Sequence, residues 1–130
     1  MDPINKILSE KKLKAKCKIW IEADNNVVFG GGRLALFQAI EEYGSINQAA
    51  AKLGMSYRAA WGKITATEKH LGLKLVDKHA GGLRSGSELT AEAKIIMESY
   101  KQFKRESIIA VDQLFYKYFE DICRQIKAKK

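Results

Sequence analysis

Apolar and polar residues alternate in the first part of the chain, a pattern typical of β-strands. Over residues 14–23 every odd-numbered position is apolar, which predicts a half-buried strand with Cys17 as a small core residue. The residues Asp24-Asn25-Asn26 tolerate positive φ and predict a tight turn into a second strand over residues 27–29. Ahead of this hairpin, apolar positions at helical spacing predict a short amphipathic arm over residues 4–12.

From residue 33 the apolar residues recur at intervals of three and four, which predicts three consecutive helices. They cover about residues 33–43, residues 45–53 and residues 56–71. A glycine that favours the left-handed conformation follows each helix, and a serine able to cap the first turn precedes the second and the third. These residues are Gly44, Gly54 and Gly72, and Ser45 and Ser56. The helices are therefore predicted to follow one another through short connections.

Beyond the third helix, the pattern predicts a second hairpin and a long final helix. Short apolar stretches at residues 73–76 and residues 88–89 flank a glycine-rich loop over residues 80–87. Thr90 can cap a helix without glycine or proline to the end of the chain, so up to about 36 residues could be helical. The predicted fold class is mainly α with small antiparallel β hairpins (α+β).

The spacing between the second and third helices is typical of a helix-turn-helix. Counted from Ile46, the fifth position is Ala50, where the partner helix packs closely, and the ninth is Gly54, where the turn requires positive φ. An ordinary pair of packed helices is the alternative. With the hairpin as a wing, the segments are an N-terminal arm and β hairpin (1–32), a winged helix-turn-helix (33–90) and a long C-terminal helix (91–130).

The third helix has two chemically different faces when its residues are placed 100° apart. Ala60, Ile64, Thr67 and Leu71 fall on one side and are predicted to face the core. The opposite side carries Arg58, Gly62, Thr65 and Lys69. Such a face suits the major groove of DNA, because an arginine can reach base edges and a glycine permits close approach. Tyr57 and Trp61 flank this face, and contact with DNA or packing against the neighbouring helix are both open for them.

The charge distribution points to the same region. Lys and Arg number 23 and Asp and Glu 15, a net charge of 23 − 15 = +8. Seven cations and two anions lie within residues 52–84, so this segment alone has a net charge of +5, as contacts with phosphates require. The predicted partner is double-stranded DNA, and the predicted DNA-binding residues are Ser56, Tyr57, Arg58, Trp61, Gly62, Lys63, Thr65, Lys69, Arg84 and Ser85, the last two in the wing.

The last helix carries an apolar stripe at spacings of three and four, which predicts a helical partner. A body of about 90 residues is too small to cover a helix of this length, so a second copy of the chain is the simplest partner. The predicted dimerisation residues are Ile108, Val111, Leu114, Phe115, Tyr118, Phe119 and Ile122. Packing against the N-terminal hairpin of the same chain is the alternative.

Other classes of protein find little support in the sequence. The longest aliphatic run has four residues, 108–111, far short of a membrane span, and no signal peptide is evident, so a cytoplasmic protein is expected. The two cysteines match no metal-ligand spacing. Residues 30–35 match a dinucleotide-binding pattern, but no acidic residue follows about 20 positions later. We therefore predict no catalytic residue, no metal and no cofactor, and we do not expect an enzyme.

The run from Met55 to Trp61, Met-Ser-Tyr-Arg-Ala-Ala-Trp, resembles the DNA-binding domain of the ModE-type, molybdate-responsive transcriptional regulators. The wider region from Gly44 to Thr90 is similar to the winged helix-turn-helix of LysR-type regulators. The resemblance implies a homodimer that reads a palindromic operator. ModE-type regulators also carry C-terminal oxyanion-binding domains, whereas this chain ends at Lys130, so we expect a stand-alone DNA-binding member without the molybdate-binding domain.

The function predicted from the sequence is therefore a homodimeric, sequence-specific DNA-binding transcriptional regulator. The resemblance implies a link to molybdate transport or molybdenum metabolism. The alternative is a winged-helix module that binds another protein and has no specific DNA readout. In that case the positive charge would serve solubility.

Overall fold

The computed structural model describes residues 13–79 and 86–128, which divide between two compact units. One unit is Ile19–Gln102, and the other is Met1–Lys18 together with Phe103–Lys130. The predicted arm over residues 4–12 and the wing residues Arg84 and Ser85 lie outside the described residues.

The described residues are mostly helical, with two small antiparallel hairpins, which confirms the predicted fold class. Local signals set the ends of the helices, since the predicted serine caps and glycine stops are present. In chain order the elements are β1 (Ile21–Ala23), β2 (Asn26–Phe29), α1 (Gly31–Tyr43), α2 (Ile46–Lys52), α3 (Tyr57–Leu71), β3 (Val76–His79), β4 (Gly86–Leu89) and α4 (Ala91–Ala128).

The first hairpin forms where its turn was predicted, but its first strand is much shorter than predicted. Asp24 and Asn25 have φ of 52° and 66°, as a two-residue hairpin turn with left-handed residues requires. The strand predicted over residues 14–23 is present only at Ile21–Ala23, which pairs with β2, and the prediction was wrong for residues 14–20. The turn fixes the register, and β2 ends at Phe29, so earlier residues have no partner strand here. Cys17 is exposed, and its prediction as a core residue was also wrong.

The helix-turn-helix follows its predicted local signals closely. Gly44, Gly54 and Gly72 all have φ near 70°, the conformation that glycine adopts without strain. The side chains of Ser45 and Ser56 each accept a hydrogen bond of 3.0 Å from the backbone N–H three residues later, which caps α2 and α3. The side chain of Ala50 is 1% exposed, so the small fifth position lies in the contact between helices as predicted.

One hydrophobic core joins the first hairpin to the helices of this unit. The ring of Phe29 stacks on Phe37 at 5.7 Å and meets Tyr100 edge-on at 5.1 Å. A polar bridge crosses the same region, because the buried hydroxyl of Thr67 accepts a hydrogen bond from Arg33 Nε at 2.8 Å and donates one to Val28 O at 3.2 Å. Partial burial lowers the pKa of the Arg33 guanidinium. The bridge fixes the start of α1 against α3.

The second hairpin contacts the end of α1 through the backbone. The N–H of Ser87 donates to Gly44 O at 2.8 Å. A Cβ on Gly86 would lie 2.7 Å from the same oxygen, so only glycine fits there without displacement of the backbone. β3 and β4 pair from Val76 opposite Leu89 to His79 opposite Gly86. A helix-turn-helix followed by this hairpin is a winged helix-turn-helix.

The last helix, α4, begins at the predicted cap. The hydroxyl of Thr90 accepts a hydrogen bond from the N–H of Ala93 at 3.2 Å. Within the unit Ile19–Gln102, Met97 and Tyr100 are buried, and the Tyr100 hydroxyl donates to Ile19 O at 2.9 Å. Ile19, which precedes β1, is thus held by α4 rather than by a neighbouring strand.

The part of α4 in the other unit leaves many large apolar side chains exposed. Among the predicted dimerisation residues, Val111, Phe115 and Ile122 are half-buried, while Ile108, Leu114, Tyr118 and Phe119 are exposed. Phe115 and Phe119 stack at 4.9 Å. Ile109 and Tyr116, which were not predicted, are exposed as well. No helix among the described residues has the length and apolar character that crossing a membrane would need.

Candidate nucleic-acid interface

The third helix, α3, presents one face to the core and the opposite face to solvent. Ala60, Ile64 and Thr67 are each 0% exposed, as the angular pattern predicted. Arg58, Gly62 and Lys69 are exposed, and Thr65 is half-buried. The inward residues are apolar or hydrogen-bonded, and the outward residues are mostly small or basic. We call the side of α3 that carries Arg58, Gly62, Thr65 and Lys69 the reading face. The structure leaves this face open to a partner.

Arg58 lies in the first turn of α3, next to the capped N-terminus. Its side chain is exposed, and it belongs to none of the ion pairs found among residues 13–79 and 86–128. An unpaired guanidinium at the start of a helix has five donors available and can bind two acceptors on one guanine. The position and the free donors of Arg58 are compatible with the base contact predicted for it.

Other predicted residues differ in what their side chains can offer. Lys63 and Lys69 are exposed, and a Cβ on Gly62 would meet nothing within 4 Å. The hydroxyl of Thr65 donates to Trp61 O at 2.9 Å, so its proton is used within α3. The Ser56 side chain caps the helix. Thr65 and Ser56 therefore contribute to the form of α3. The Thr65 oxygen keeps acceptor capacity only, whereas the Ser56 hydroxyl accepts the capping bond and keeps its own proton to donate.

The aromatic residues beside the reading face contact the wing. The ammonium of Lys78, on β3, lies 4.5 Å from the ring centroid of Trp61 and 5.1 Å from that of Tyr57. It also donates a hydrogen bond to the Tyr57 hydroxyl. Trp61 packs on the core, whereas Tyr57 is 39% exposed. Neither of the two roles considered for this pair included a contact with the wing.

Lys78 was not predicted from the sequence as a residue of this surface. One signal was present, because side chains two apart in a strand lie on the same face. Val76 was predicted in a strand and is 0% exposed, so Lys78 leaves β3 on the side of the helices. The distance to Tyr57 and Trp61 depends on how the hairpin packs, which no local pattern encodes.

The structure brings one part of the predicted site together and leaves another part undescribed. Tyr57, Arg58 and Trp61 lie within two turns of α3, with Lys78 of the wing beside them. Arg84 and Ser85 lie outside the described residues. In the part of the chain that is described, no group of three His, Cys, Asp or Glu side chains could hold a metal ion.

Comparison with known proteins gives this surface a family context. The family described as "Bacterial regulatory helix-turn-helix protein, lysR family" matches residues 32–94. "Molybdenum transport protein ModE" of Azotobacter vinelandii is 34% identical over 95 residues, which cover 72% of this chain and 35% of that relative. "Transcriptional regulator ModE" of Haemophilus influenzae is 34% identical over 74 residues, 56% of this chain and 29% of the relative.

A solved structure, the crystal structure of the CbnR DNA-binding domain in complex with DNA, is 27% identical with a TM-score of 0.49. It covers 63% of this chain and 90% of the other. The chain spans about a third of the length of the two ModE relatives. The matched segment holds α1, α2, α3, the second hairpin and the start of α4. Residues 32–94 therefore form a helix-turn-helix DNA-binding domain of the lysR family of bacterial regulatory proteins.

Proposed function

We propose that this protein is a sequence-specific transcriptional regulator that binds double-stranded DNA as a homodimer. The single observation that carries the proposal is the open outward face of α3. Arg58 stands at its N-terminal end, and Gly62 in its middle has no side chain to obstruct a groove. A helix of this kind can enter the major groove with its first turn against base edges.

The second part of the proposal, the homodimer, is supported by α4. Leu114 is 54% exposed and Tyr118 is 66% exposed. Large apolar side chains exposed together on one helix are typical of a surface that binds another protein. A second copy is the simplest partner, because a two-fold dimer presents two reading helices to a palindromic site. We expect those helices to lie about 34 Å apart, one turn of duplex.

The third part concerns the regulated genes. The ModE relatives are described as a molybdenum transport protein and a transcriptional regulator. We propose by this similarity that the chain regulates genes of molybdate transport or molybdenum metabolism. Selection of bound fragments from the host genome tests it, since genes of molybdenum handling should flank the recovered sites. Recovery of fragments without such neighbours would contradict it.

Salt titration on duplex DNA tests the DNA-binding part. The logarithm of the binding constant should fall linearly with the logarithm of salt concentration, because each phosphate contact releases counterions. A flat plot would overturn the proposal and favour the alternative, a winged-helix module that binds a protein through the same face. Competition between a selected duplex and a scrambled one of equal length then measures sequence specificity.

A further inference from the structure

The contact between α3 and the wing places the ammonium of Lys78 against two aromatic side chains. Lys78 Nζ lies within 5.1 Å of both ring centroids, those of Tyr57 and Trp61, and donates a hydrogen bond to the Tyr57 hydroxyl. Tyr57 and Trp61 are four residues apart and so lie on one face of α3. The Trp61 ring attracts the ammonium electrostatically, and Tyr57 holds it through the hydroxyl. These two contacts restrict the ammonium end of the Lys78 side chain, which is flexible in a lysine without such contacts.

No carboxylate among residues 13–79 and 86–128 is found in an ion pair with Lys78. Asp77, its neighbour in the chain, leaves β3 on the opposite face. A lysine ammonium has three donors, and Tyr57 takes one of them. Two donors and a full positive charge therefore remain available on an exposed side chain, beside the turn of α3 that carries Arg58.

We propose that Lys78 binds a phosphate of the DNA backbone, and that Tyr57 and Trp61 are positioning residues that act through it. The inference rests on the proposed function and deepens it, since it assigns the two aromatic residues a task other than contact with bases. A phosphate contact fixes the register of a reading helix without reading sequence. An ammonium already held in place loses less conformational entropy on binding than a free lysine.

The experiment measures the salt dependence of binding to a fluorescent duplex of mixed sequence, with the full chain. Lys78→Gln should weaken binding to every duplex and lower the magnitude of the log–log slope by about one. The ratio of wild-type to variant affinity should thus shrink about fourfold between 50 and 200 mM salt. Lys78→Arg should restore the slope. Lys94→Gln removes an equal charge from an exposed position of α4; it is the matched control and should leave the slope unchanged.

A double-mutant cycle tests the positioning role. Tyr57→Phe keeps the ring and removes the hydroxyl that Lys78 contacts, so it should weaken binding in the wild type and have little effect when Lys78 is already glutamine. An equal loss in both backgrounds would mean that Tyr57 contacts DNA directly and would overturn its positioning role. An unchanged slope for Lys78→Gln, with thermal unfolding showing a folded variant, would overturn the phosphate contact.

These outcomes separate the inference from the proposed function. If the wild-type plot is flat, the proposed function fails. If the wild-type plot is steep and Lys78→Gln has the same slope, only the inference fails. If Lys78→Gln lowers the melting temperature and leaves the slope intact, Lys78 is a structural link between α3 and the wing.

Discussion

At the scale of one residue, Gly62 is a glycine inside a helix, where alanine would give higher stability. It lies in the middle of α3, where glycine costs roughly 0.5–1 kcal/mol relative to alanine. Its φ is not in the left-handed region, and a Cβ there would touch nothing within 4 Å. Among the described residues, neither backbone conformation nor packing requires glycine at this position. The proposed function offers a reason for it, since DNA in contact with α3 would come close to this position.

We therefore predict opposite effects of Gly62→Ala on stability and binding. The free energy of unfolding should rise by about 0.5–1 kcal/mol, and affinity for duplex DNA should fall, because the added methyl group meets the DNA. Denaturant unfolding and fluorescence anisotropy measure the two quantities. Gly32→Ala, which adds a methyl group in open space in α1, is the control and should leave binding unchanged. Undiminished affinity for Gly62→Ala would contradict close approach.

Arg58 is expected to read a base. Arg58→Ala should cost about 1–3 kcal/mol of binding free energy on the selected operator and should reduce discrimination at one base pair. Gel-shift series on the operator and on its single-base variants measure both effects. Arg105→Ala, which removes an exposed arginine from α4, is the control. If affinity and discrimination both remained at wild-type values, Arg58 would not be a base reader.

At the scale of elements, the wing is attached to α3 by a side chain as well as by packing. Glu68 Oε2 accepts hydrogen bonds from the N–H groups of Leu75 at 2.7 Å and Val76 at 3.2 Å. Both residues are 0% exposed, so these donors would otherwise face the protein interior. One carboxylate thus fixes the start of β3 against the end of α3. The position of Lys78, two residues further along β3, depends on this attachment.

Glu68→Ala should lower the free energy of unfolding by about 1–3 kcal/mol, because two buried N–H groups lose their acceptor. Glu68→Gln keeps an acceptor oxygen and should lose less. Urea unfolding of both variants measures the difference. Equal stability of the alanine variant and the wild type would show that the attachment contributes nothing.

At the scale of the whole molecule, α4 beyond Gln102 is where several large apolar side chains of the described residues are exposed. Leu114→Lys should weaken self-association by about 3 kcal/mol, or about a hundredfold in Kd, because a charge would enter an apolar interface. Sedimentation equilibrium measures this. The control is Gln113→Lys, which adds the same charge at the neighbouring exposed polar position. A wild-type chain that stayed monomeric at all concentrations would contradict the homodimer.

The sequence by itself determined the elements whose signals are local. The serine caps of α2 and α3, the glycines that end the helices and the Asp24-Asn25 turn act within a few residues of their own positions. The two faces of α3 follow from helical periodicity alone, and the burial of Ala60, Ile64 and Thr67 agrees with it. These features need no knowledge of distant residues, so a single sequence was sufficient to predict them.

Only the tertiary structure decided the features that depend on distant partners. Residues 14–20 carry a strand pattern, but a strand exists only where another strand offers hydrogen bonds, and β2 is too short to reach them. Gly86 must be glycine because Gly44 O, from a different element, occupies the space of its Cβ. Lys78 joins the reading face because the hairpin packs beside α3. Periodicity predicts which side of a helix or strand is apolar. The residues that this side contacts are determined by how the elements pack, which involves residues far apart in the sequence.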